Sequence, residues 1–271
     1  LRAEEILVQK FETLIVTRDG RVTTIAMNRP AAMNAVNPAM HEEMQAALDD
    51  FADDPAQYIG VITGAGARAF CAGSDLKEAA QRADPVLGRY PAGGYAGLAA
   101  RRDLAKPVIA AVNGVALGGG FEIALACDII IAADTATFGL PEPRVGAIAL
   151  AGGLHRLARQ IGLKPAMAMA LTGDIVSAAE GVRLGFVNQA VPAAELSAAV
   201  RTVCDKILAC APLAVRASKA AMLRGLSEPD LFAALAAQST YPEVAAWRDA
   251  EDTREGPRAF AEKRAPQWRA R

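Results

Sequence analysis

Hydrophobic and polar positions change their spacing several times along the chain, and each change marks an element. Phe11 to Arg18 and Arg21 to Asn28 are β-favouring runs on either side of Asp19-Gly20, which predicts a hairpin. Asn37-Pro38 supplies a cap and an early helical proline for a helix over 39–51, whose apolar residues Met40, Met44, Ala47, Leu48 and Phe51 recur at helical spacing. Tyr58 to Thr63 and Pro107 to Val112 are apolar without alternation, as strands buried on both faces are, and each runs on into glycine. A short helix begins near Asp75, and a Gly- and Pro-containing stretch over 84–97 reads as mobile. Another helix starts near Gly119-Gly120 and runs into Cys127-Asp128, followed by a short apolar strand over 129–132. Strand, glycine-rich turn and helix in succession predict an α/β architecture.

Beyond Leu154 the pattern becomes helical, with segments over 164–171, 177–184, 193–209 and 212–225, and helical stretches over 229–271 that include the basic pair Lys263-Arg264. That shift predicts an α/β core over 1–200 and a helical extension over 201–271.

Composition narrows the function classes. The chain has 271 residues, 52% hydrophobic and 22% charged, with a formal net charge of −1, which fits a globular protein and lacks the broad basic footprint of a general nucleic-acid binder. The four cysteines have no C-x-x-C spacing and the only histidines are His41 and His155, so a zinc site is not expected and free buried thiols are. Charges at Arg2, Glu4, Glu5, Lys10 and Glu12 interrupt any signal-peptide core, and the uncharged run from Pro107 to Phe121 is shorter than a membrane span. These features predict a cytoplasmic protein, or an organelle-matrix one whose transit segment has been removed.

Much of the glycine, 23 residues in all, is grouped, and several groups follow the predicted strands. In Asn113-Gly-Val-Ala-Leu-Gly-Gly-Gly-Phe-Glu122, three consecutive glycines precede a helix whose first N–H groups are unpaired. This is either a ligand-binding turn or a place of tight helix–sheet packing. Phe70-Cys-Ala-Gly-Ser-Asp-Leu76 has the same setting, and two such turns could aim two N–H donors at one oxygen as an oxyanion hole; an ordinary capped turn is the alternative. No Gly-Lys-Ser/Thr follows either group, so a Walker A loop is excluded. Gly64-Ala-Gly-Ala-Arg-Ala69 loosely imitates a dinucleotide turn, but Phe70-Cys-Ala-Gly73 interrupts the helix which that motif needs.

Glu122 and Glu142 lie in apolar sequence, where carboxylates are costly unless paired, hydrogen-bonded or neutral. Around one water they could act as base and acid. Alternatively Glu122 faces a helix dipole and Glu142 is a surface loop acid. Asp128 reads as a partner for local backbone donors, His155 and Arg156 as structural or surface residues, and Cys71 as filler beside the glycine turn.

Taken together, several motifs resemble the enoyl-CoA hydratase/isomerase, or crotonase, family. They are Asn28-Arg-Pro30, Asn34-Ala35, Phe70 to Lys77, Asn113 to Glu122, Phe138-Gly-Leu-Pro-Glu142, Gly152-Gly153, Leu171-Thr-Gly173 and Glu255-Gly-Pro-Arg-Ala-Phe-Ala-Glu-Lys-Arg264. The resemblance implies a crotonase-like superhelix of β-β-α units with a C-terminal helical region that serves oligomerisation and completes the CoA site. It implies a homotrimer, or a hexamer built as a dimer of trimers. It also implies an acyl-CoA thioester as substrate, CoA being a handle and no separate cofactor or metal being needed. The oxyanion donors fall on the N–H groups of Ser74 and Gly119, and the hydratase acids on Glu122, which activates water, and Glu142, which exchanges a proton with the substrate α-carbon. CoA contacts fall on Ala32, Lys77, Phe260 and Lys263.

The implied reaction is reversible addition of water to a 2-enoyl-CoA. The alternatives are Δ3-Δ2 isomerisation and hydration or dehydration of a branched or cyclic acyl-CoA. An RNA-binding or structural relative would carry a basic helix, whereas the helix over 39–54 carries Glu42, Glu43, Asp49 and Asp50. Two positions depart from the family pattern: Ala31 stands where a basic residue is frequent, and Leu150 replaces a glycine close to the reacting water.

Overall fold

The computed structural model describes residues 7–80 and 90–271. Residues 84–89 of the stretch read as mobile lie outside the described residues; Tyr95–Gly97 is a turn of 3-10 helix. By its contacts the chain divides into two units, one comprising residues 1–102 and 108–201, the other residues 103–107 and 202–271.

The first unit is built on two sheets. Strands β1 (Leu7–Lys10), β2 (Leu14–Asp19) and β3 (Val22–Met27) run antiparallel, and β2 and β3 are joined by a two-residue turn whose last pair is Asp19↔Val22. The turn's central residues are therefore Gly20 and Arg21, one residue later than the sequence suggests, and Gly20 takes the positive φ of 56° that the tight turn demands. Strand β3 then pairs in parallel with β4 (Ile59–Gly64). Helix α1 (Pro38–Asp53) connects them; the Asn37 side chain accepts the Met40 N–H at 3.0 Å, and Met40, Met44, Leu48 and Phe51 are fully buried.

From β4 onward the chain alternates between sheets. β5 (Ala69–Cys71) lies in the smaller sheet and leads to α2 (Leu76–Ala79); β6 (Val108–Val112) returns to the larger one. β7 (Val115–Leu117) is in the smaller sheet and leads to α3 (Gly119–Ala126), and β8 (Ile129–Ala133) and β9 (Thr137–Gly139) repeat the alternation. This is the β-β-α repeat of the expected superhelix. After a 3-10 turn at Glu142–Val145 come α4 (Gly153–Ile161), α5 (Leu163–Thr172), β10 (Ile175–Ser177), α6 (Ala178–Leu184) and β11 (Gln189–Val191). The larger sheet has the order β1-β2-β3-β4-β6-β8-β11 and the smaller β10-β9-β7-β5.

Helix α7 (Leu196–Leu208) contains the division between units. The second unit continues with α8 (Pro212–Gly225), α9 (Leu231–Ala237), α10 (Pro242–Arg248) and α11 (Asp252–Ala261). Among the described residues no helix is long and apolar enough to cross a membrane.

Candidate active site

Three neighbouring strands of the smaller sheet end together. β5 and β7 are parallel with Cys71 opposite Ala116, and β7 and β9 are parallel with Leu117 opposite Gly139. This register places the turns that follow them, carrying Ser74, Gly119 and Glu142, along one edge only about 10 Å wide at the usual strand spacing. Residues from distant parts of the sequence thus meet at the carboxyl ends of parallel strands.

The β5 turn is bound to the loop after β3. Val36 donates its N–H to the Gly73 carbonyl at 2.8 Å, and its own carbonyl accepts the Asp75 N–H at 3.0 Å. A parallel bridge of this kind uses the residues flanking Ser74 and leaves the N–H of Ser74 directed to the other side. Arg29, from the Asn-Arg-Pro run, holds the same region by donating to the Ala35 carbonyl and the Asp75 carboxylate. The β7 turn is still more tightly placed. A side-chain carbon on Gly120 would lie 2.0 Å from the Cys71 carbonyl oxygen, and one on Gly73 would lie 3.1 Å from the Gly119 nitrogen. Gly119 is the first residue of α3, so its N–H has no helical carbonyl to bind.

The two acids sit beside this turn. Glu122, one turn into α3, is 3% exposed and accepts the Gly153 N–H at 2.8 Å. Burial, followed by the neighbouring Glu142 charge, pushes its carboxyl up to about 7 against the pull of the Gly153 and Ala151 N–H groups and of Arg156. Glu142 is also raised by burial, its own backbone N–H opposing the shift. Its Oε2 is buried with no hydrogen-bond partner among the described residues, and its Oε1 lies beside Gly118, where a Cβ would come within 3.1 Å of it. A buried carboxyl oxygen left unbonded costs ~1–3 kcal/mol. Such an oxygen is poised for a ligand that supplies the missing bond.

Other candidates take different places. Cys71 is buried and its thiol is pushed up to about 12, so it is no nucleophile at neutral pH. Asp128 accepts the Val108 N–H at 2.7 Å, as a backbone partner should. The imitation dinucleotide turn runs into β5 instead of a helix, and two amides pin it: Asn34 donates to the Ala65 and Ala69 carbonyls, and Asn113 to those of Gly64 and Gly66. Ala32 belongs to a 3-10 turn, Lys77 is exposed on α2, and Leu150 is 55% exposed just before the segment that binds Glu122. Phe260, at 88% exposure, and Lys263 belong to the second unit.

Two residues were not legible as site components. Arg156 is only partly exposed; its guanidinium donates to the Ala99 carbonyl at 2.7 Å and favours the charged form of Glu122. Tyr95, 2% exposed, brings its hydroxyl within 3.1 Å of Ser74 Oγ.

Comparison with known proteins bears on what this arrangement serves. The enoyl-CoA hydratase/isomerase family model matches residues 17–271. The chain is 43% identical to the carnitinyl-CoA dehydratase of Proteus mirabilis over 96% of its own length and 99% of that protein's. This chain belongs to the crotonase family. A crystal structure of an enoyl-CoA hydratase from Bacillus anthracis is similar with a TM-score of 0.87, at 35% identity and covering 99% of this chain and all of that one. One from Mycobacterium marinum gives 0.85 at 38% identity, covering 98% of this chain and 99% of that one. The crotonase member described here is an enzyme with lyase-type activity, whose chemistry is hydratase/isomerase chemistry on an enoyl-CoA substrate.

Proposed function

We propose that the enzyme catalyses reversible addition of water to a 2-enoyl-CoA, with Ser74 and Gly119 N–H groups on the thioester oxygen and Glu122 and Glu142 on either side of one water. The observation that carries this reading is two neighbouring raised carboxyl groups, Glu122 buried and Glu142 half-buried with a buried oxygen left unbonded among the described residues. Ionised Glu122 takes a proton from water as its oxygen bonds to C3. The electron pair of the double bond moves toward the thioester, and negative charge develops on an oxygen facing donors that need no reorganisation. Protonated Glu142 then delivers a proton to C2, and the reverse sequence eliminates water.

Incubation of 2-enoyl- and 3-enoyl-CoA substrates in oxygen-18 water, read by mass spectrometry, tests this mechanism. Retained label in a 3-hydroxyacyl-CoA is expected. A double-bond shift without label would assign Δ3-Δ2 isomerisation instead.

The 43% identity to carnitinyl-CoA dehydratase favours a second, narrower reading: dehydration of carnitinyl-CoA. Turnover of carnitinyl-CoA against a straight four-carbon 2-enoyl-CoA decides between them. CoA contacts at Ala32, Lys77, Phe260 and Lys263, and trimeric or hexameric assembly through the C-terminal helices, belong to the same proposal. The exposed large apolar side chains of Leu226, Leu231 and Phe232, close together in sequence, and of Phe260 are the residues this assembly would cover. Sedimentation of the parent and of Phe232→Ser tests it, with a smaller species expected for the variant.

A further inference from the structure

One side chain touches both turns that carry the oxyanion donors. The Tyr95 hydroxyl lies 3.1 Å from Ser74 Oγ. Its ring lies against Gly119 so closely that a Cβ there would come within 2.3 Å of both Cζ and the hydroxyl oxygen. We propose that Tyr95 is a positioning residue for thioester activation, fixing the separation of the Ser74 and Gly119 N–H groups by binding the Ser74 side-chain hydroxyl and packing its ring on Gly119. This rests on the reading of those two N–H groups as the oxyanion hole.

Ser74 is exposed, on a turn that the Val36 bridge and Arg29 tie to the loop after β3, and the Tyr95 hydroxyl adds a tie toward Gly119. The Gly119 turn, by contrast, is buried. Tyr95, bonded to the first and packed on the second, couples the exposed turn to the buried one.

Tyr95 itself is held on several sides. His41 meets its ring edge-on at 4.7 Å between centroids, and Tyr90 does so at 5.5 Å. His41 Nδ1 accepts the N–H of Ala96 at 2.9 Å, and Ala96 has a left-handed φ of 51°, a conformation that costs a non-glycine residue ~1–2 kcal/mol. The surroundings therefore impose the backbone geometry that aims the phenol. Burial keeps the hydroxyl protonated well above the ordinary tyrosine range, so the contact stays hydroxyl to hydroxyl over the working range of pH.

Tyr95→Phe and Ser74→Ala each remove the bond, and neither removes a backbone N–H. Each should lower kcat for hydration about 3- to 10-fold, the equivalent of one hydrogen bond expressed in the transition state, with KM within about twofold of the parent. The double variant should be no slower than either single one, because both lose the same bond. A structural role alone would not alter the bound thioester. The infrared carbonyl stretch of butyryl-CoA labelled with carbon-13 at the thioester should move to lower frequency on binding the parent, and less far on binding Tyr95→Phe. Parent-like kcat and carbonyl frequency in Tyr95→Phe, or losses that multiply in the double variant, would overturn the proposal while the oxyanion hole stands. An unshifted carbonyl in the parent would overturn both. Should Tyr95→Phe not fold, Ser74→Ala carries the same comparison.

Discussion

Replacing Glu122 by glutamine should make the protein more stable in neutral and alkaline solution while destroying its activity. The carboxyl's pKa is raised from an ordinary 4.5 to about 7. Each pK unit corresponds to ~1.4 kcal/mol, so ionising Glu122 in the folded protein costs about 3 kcal/mol more than ionising it in the unfolded chain. At 3% exposure, solvent does not screen this away. The sign follows from which state holds the proton more tightly. Folded Glu122 does, so its contribution is fully present below about pH 4.5 and is lost as pH rises through about 7.

Glutamine preserves the acceptor for the Gly153 N–H and cannot ionise. Thermal unfolding of parent and Glu122→Gln, followed from about pH 4.5 to 8.5, should show midpoints that separate progressively, the variant gaining about 6 °C at a sensitivity of ~2 °C per kcal/mol. Any constant offset from the extra amide donor leaves the pH-dependent part intact. The parent's kcat/KM should fall on the acid side with the same midpoint, because that ratio reports the free enzyme. A difference in unfolding midpoint that stays flat with pH would refute the reasoning, since Glu122 would then titrate alike in the folded and unfolded states.

Other perturbations separate the remaining parts. Glu142→Gln should lower kcat by ~10²-fold or more, the usual range for a lost acid–base group, with no loss of thermal stability at pH 8. Arg156→Met removes a cation that favours ionised Glu122, so the acid limb of kcat/KM should move above about pH 7; an unmoved limb would show that the guanidinium acts only through its bond to Ala99. Asn34→Ala should lower stability by ~2–4 kcal/mol in denaturant titration, because the amide is fully buried and binds Arg29 N–H, Ala65 O and Ala69 O.

The long elements were legible because their patterns are long. Asn37, Pro38 and the Met40, Met44, Phe51 spacing suffice for α1, and the unbroken apolar runs suffice for β4 and β6. β5, β7 and β10 have three residues each, too few for any periodicity to register, and the paired ends of β5 and β7 organise the site. Glu122 and Glu142 could be named as a pair, but their meeting depends on the β7–β9 register, which local sequence does not encode. Arg156 reads from sequence as a structural or surface residue, and only the fold shows its head bent back to Ala99. Tyr95 lies in a Gly- and Pro-containing stretch whose composition suggests mobility, although its ring is buried against Gly119.

Of the two readings that the sequence left open for the triple glycine, a ligand-binding turn and tight packing, the structure shows the packing. Each glycine is required by a different neighbour. Gly118, at a positive φ of 54°, lies under the Glu142 carboxyl; Gly119 lies under the Tyr95 phenol; Gly120 lies against the Cys71 carbonyl at the end of β5. A methyl group at any of the three would push apart one of these contacts. In the proposed mechanism this close packing is what sets the acid, the phenol and the Ser74 turn around the Gly119 N–H. On that proposal, a substitution that relaxes the packing should be felt first in the chemistry and only then in the fold.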